Sequence, residues 1–105
     1  MTQEPVIILT TAGEKESALI GRALVEEHRA ACVNITGVTS FYLWGGELCR
    51  DQEQLLIIKT TRDRADVVMS RIRELHSYEL PEMILVPVVG GYPPYLQWIR
   101  DEVRQ

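Results

Sequence analysis

The sequence predicts an α+β domain of ferredoxin-like βαββαβ order, with an extended hairpin between the second and third strands and one added C-terminal helix. Three observations carry this expectation. Runs of β-branched and aliphatic residues alternate with stretches of helical periodicity in the order strand, helix, strand, strand, helix, strand, helix. Gly45-Gly46 stands between two strand-like arms that together run over residues 31–60, the pattern of a tight hairpin because glycine accepts the positive φ angles such turns need. Finally, residues 6–9, 55–58 and 84–86 are apolar at successive positions, so both faces of the sheet should be covered, while helices in this order cover only one.

The elements follow in turn. Residues 6–11 form a β-branched run stopped at Gly13, the first strand. Over residues 14–29, Ile20, Ala23 and Leu24 share one side while Lys15, Arg22, Glu26 and Arg29 take the other, an amphipathic helix with a solvated charged face. The hairpin arms are about 14 residues each, roughly 46 Å at strand rise. A compact chain of this length is only about 33 Å across, so the hairpin tip should overhang, and an overhanging edge calls for another subunit to cover it. Thr61 is placed to cap a second helix with Asp63 in its first turn, and Ala65, Val68, Met69, Ile72 and Leu75 make its apolar stripe. His76 returns to that stripe if the helix continues. Pro81 ends the element, residues 83–89 read as a strand with Pro87 at an edge or bulge, and Pro93-Pro94 opens a last helix whose packing side should hold Tyr95, Trp98, Ile99 and Glu102 or Val103.

Composition bounds the partners. At 105 residues the chain reads as a single domain, 1–105, and its net charge of -4 with pI ≈ 5.1 gives no basic footprint for nucleic acid. The first residues carry no positive leader region, and no apolar run approaches the roughly 20 residues that span a bilayer, so a cytoplasmic protein with no membrane contact is expected. If Trp44 faces Glu47, then Cys49 faces Tyr42 and Cys32 faces Lys59, too far apart for a disulfide. Both cysteines should be free thiols.

Several blocks resemble one family along nearly the whole chain: Arg29-Ala30-Ala31-Cys32-Val33-Asn34-Ile35, Ser40-Phe41-Tyr42-Leu43-Trp44-Gly45-Gly46, Glu53 leading into Ile58-Lys59-Thr60-Thr61, His76-Ser77-Tyr78-Glu79-Leu80-Pro81-Glu82, and Tyr95-Leu96-Gln97-Trp98. They are similar to the CutA, or divalent-cation tolerance, proteins. The resemblance implies a homotrimer architecturally similar to PII signalling proteins, with no established reaction and no organic cofactor. It also implies binding of Cu(II) or another divalent metal through a first-strand cysteine, the histidine of the His-x-Tyr segment and the glutamate after its proline. The last two correspond to His76 and Glu82. The first corresponds to Thr10, so the thiolate is missing here.

Beside the resemblance, the residues allow two readings each. His76 is either a partly buried histidine bonded to a carbonyl or a ligand, with Glu79 and Glu82 as oxygen donors suited, with imidazole, to Cu(II) or Zn(II). All 7 aromatics lie beyond residue 40. Tyr42, Trp44, Tyr78, Tyr95 and Trp98 serve either subunit packing or a pocket between subunits, in which Tyr42, Trp44 and Lys59 could hold a small anion or metabolite. The row Glu47, Asp51 and Glu53 points to the side of Trp44 and Ser40 and would pair with a neighbouring chain or bind cations. No Gly-rich phosphate loop precedes a helix and no serine or cysteine has an activating partner. The function expected is a metal-binding protein rather than an enzyme, with a metabolite sensor as the alternative.

Overall fold

The structure is a computed structural model that describes residues 3–104. Its elements are β1 (Pro5–Ala12), α1 (Glu14–Glu26), β2 (Cys32–Trp44), β3 (Glu47–Thr61), a single 3-10 turn (Arg62–Arg64), α2 (Ala65–Leu75), β4 (Ile84–Pro87) and α3 (Pro93–Glu102). The four strands form one antiparallel sheet in the order β2-β3-β1-β4, the ferredoxin-like arrangement expected. Gly45 and Gly46 have φ of 58° and 83°, a two-residue turn that requires positive φ at both positions. Trp44 faces Glu47, and the register that follows sets Cys49 opposite Tyr42 and Cys32 opposite Lys59. Both cysteines are free.

Alternation along the strands sorts the side chains. Val6, Ile8, Thr10 and Ala12 of β1 and Leu56, Ile58 and Thr60 of β3 point to the helix side and are essentially closed to solvent. With Ile20 and Leu24 of α1 and Val68 and Ile72 of α2 they make the core. Gly21 lets α1 approach β2, since a Cβ there would stand 3.3 Å from Val33 Cγ1. On the opposite face Ile7, Leu9, Leu55, Ile57 and Val86 are only half-buried, and β2 and β3 run on past the helices, giving a molecule of 45 × 25 × 23 Å. At the hairpin tip Leu43 and Leu48 are 70% and 71% exposed.

Four expectations are corrected. Helix α1 stops at Glu26 rather than at residue 29, because His28 turns left-handed at φ 59°. Its N–H bonds to Val25 O (3.1 Å) and that of Arg29 to Leu24 O (2.9 Å), the paired bonds of a Schellman stop. Thr61 heads the 3-10 turn instead of α2, and its hydroxyl donates to the Asp63 carboxylate at 2.6 Å rather than capping a backbone N–H. β4 covers four residues instead of 83–89, pairing only with β1, and it ends on Pro87, which has no N–H to continue the ladder. At α3, Ile99 and Val103 are buried against Ala31 as expected and Leu96 joins them, but Tyr95 and Trp98 stay about 40% exposed, packed on one another at 5.4 Å.

Candidate functional site

Between α2 and β4 the chain has no regular structure, and residues 76–83 fold back against the hairpin. His76 anchors this segment. The helix closes with its N–H on Ile72 O, after which the backbone turns extended (φ -93°, ψ 136°) and the imidazole swings into the interior. Its side chain is fully buried. Nδ1 accepts the Tyr78 N–H at 3.1 Å, which makes Nδ1 the unprotonated nitrogen and Nε2 the donor to Thr11 O at 2.6 Å. The Glu16 carboxylate lies 3.5 Å from Nδ1. Hydrogen bonds from Ser77, side chain first and backbone second, hold Glu16 below the usual carboxylate range. Arg73 reaches the same segment, its Nη1 donating to the carbonyl oxygens of Tyr78 and Glu79 at 3.3 Å each.

Fixed in this way, Tyr78 leans on the His76 ring at 4.4 Å and donates from its hydroxyl to Glu53 Oε2 at 2.9 Å. On the hairpin, Tyr42 donates likewise to Asp51 Oδ2. Both phenols stay protonated far above neutrality: the Asp51 hydrogen bond and then burial push Tyr42 up to about 12, and burial followed by the Glu53 hydrogen bond pushes Tyr78 up to about 12. Each hydroxyl is thus a fixed donor to a carboxylate.

Between hairpin and segment lies a cleft of about 650 Å³, lined by Thr11, Ser40, Phe41, Tyr42, Trp44, Cys49, Asp51, Glu53, Tyr78, Glu79, Leu80 and Glu82. Four of these are carboxylates, and none is Lys, Arg or His. Of the expected metal residues, Glu79 and Glu82 line the cleft. His76 lies beneath it with both nitrogens engaged. Thr10 points into the helix-side core, and Thr11 is the β1 residue that reaches the cleft. Among the described residues no three His, Cys, Asp or Glu side chains converge closely enough to hold a metal ion together.

The expected pocket group divides within this chain. Tyr42, Trp44 and Tyr78 line the cleft, whereas Lys59 sits at the far end of the hairpin with its Nζ 3.4 Å from the Tyr95 hydroxyl and 5.6 Å from that ring's centre, and Trp98 stacks behind. Asp51, Cys49 and Ser40 join the site through strand alternation alone, which the register already made visible.

A family model, the CutA1 divalent ion tolerance protein, matches residues 6–102. The chain belongs to the CutA1 family. It is 43% identical over 99 residues to the divalent-cation tolerance protein CutA of Thermus thermophilus, covering 93% of this chain and 96% of that one. The solved structure of a divalent cation tolerance protein from Thermus thermophilus superposes with a TM-score of 0.91 at 41% identity, over 95% of this chain and 99% of that one. The PII-like protein CutA from Nostoc sp. PCC 7120, solved in apo form, matches at the same TM-score and 37% identity over 94% and 97% of the two chains. Some CutA relatives are longer, and this chain spans 60% of the chloroplastic rice protein.

Proposed function

We propose that this CutA1 protein is a homotrimeric, non-enzymatic binder of divalent metal ions in the cytoplasm, with Cu(II) its principal cargo and the acidic cleft its site. The observation that carries the reading is the sign of the cleft: Asp51, Glu53, Glu79 and Glu82 face it without a single basic side chain. Carboxylate oxygens suit hard divalent ions such as Mg²⁺, Ca²⁺ and Mn²⁺, and together with an imidazole they make the N,O set that Cu(II) takes. Glu79 is exposed and Glu82 half-exposed, so both are free to close on an ion. His76 joins only if the Tyr78 N–H leaves Nδ1, the one lone pair the ring has to offer. Trimer formation is supported by the half-buried apolar face of the sheet and by the exposed tip of the hairpin. Cytoplasmic residence is supported by the two free cysteines.

Titration calorimetry at neutral pH tests the metal. Cu(II) should bind, with an affinity that falls about tenfold or more when Glu79→Gln and Glu82→Gln are combined, as expected for loss of two charged donors. Absence of Cu(II) binding, or binding untouched by Glu82→Gln together with His76→Ala, overturns the proposal.

A second reading, a PII-like sensor of a small metabolite, is favoured by the size of the cleft. About 650 Å³ falls in the range of roughly 300–1,000 Å³ typical of small-molecule sites and far exceeds what an ion fills. A metabolite that binds the folded protein should raise its melting temperature by mass action. Stabilisation by metals alone would reject the sensor.

A further inference from the structure

We draw no further inference here: the strongest candidate, the Lys59, Tyr95 and Trp98 cluster at the foot of the hairpin on the sheet face away from α1 and α2, lies on the surface already given to subunit packing, and nothing in the structure shows what covers it.

Discussion

Thr10 and Tyr42 show how one side chain reports its surroundings. Thr10 is closed to solvent on the helix side of β1, and among the described residues its Oγ1 has no hydrogen-bond partner. A buried hydroxyl left unpaired costs about 1–3 kcal/mol, so Thr10→Val, which keeps the branched shape and removes the polar atom, should stabilise the fold by about 1 kcal/mol. A denaturant midpoint that falls instead would show that the hydroxyl is satisfied in solution. Tyr42 is governed by Asp51. A phenol that donates to a neighbouring carboxylate is stabilised in its protonated form, which pushes Tyr42 up to about 12. Asp51→Asn removes the charge and weakens the acceptor, so one tyrosine should move down toward 10 in an alkaline absorbance titration. An unchanged titration curve would separate the two residues.

Among the elements, the end of α1 and the 76–83 segment depend on backbone geometry that helical periodicity does not report. The Schellman stop places a histidine where glycine is usual, and a β-carbon in the left-handed region costs about 1 kcal/mol. His28→Gly should therefore raise stability by up to about that amount without changing the cleft, provided the His28 carbonyl keeps its bond from Arg104 N at 2.9 Å. Thermal unfolding with and without the substitution measures it, and a lower midpoint would mean that the imidazole makes contacts worth more than the strain. The 76–83 segment is irregular yet pinned through His76, Ser77, Tyr78 and the Arg73 guanidinium. It can therefore hold Tyr78 over Glu53 without a helix or strand beneath it.

For the whole molecule the overhanging hairpin is the consequential feature. Leu43 and Leu48 face each other across the ladder at its tip and are mostly exposed, and β2 offers an unpaired edge along its full length. Apolar area left in water at about 25 cal/mol per Å² favours association, and an open edge strand favours it further. Leu43→Glu combined with Leu48→Glu should shift the sedimentation profile from an assembled species toward smaller ones while far-UV dichroism stays the same. Unaltered sedimentation would show that the tip takes no part in assembly.

Strand order, hairpin register and the helix-side core were legible from residue pattern, because they depend on periodicity and on the two glycines of the turn, which are local. The one-sided alignment of Asp51 and Glu53 with Ser40 was legible for the same reason. The helix stop at His28 and the short β4 were not, because each depends on where the backbone turns once regular structure ends. For His76 the pattern offered both a buried histidine bonded to a carbonyl and a ligand, and the structure shows its Nε2 on Thr11 O. The cleft itself joins residues about 25 positions apart through the Tyr78–Glu53 bond. Such a site exists only when tertiary packing carries the loop onto the hairpin, and that contact turns a row of carboxylates and scattered rings into one anionic, aromatic recess.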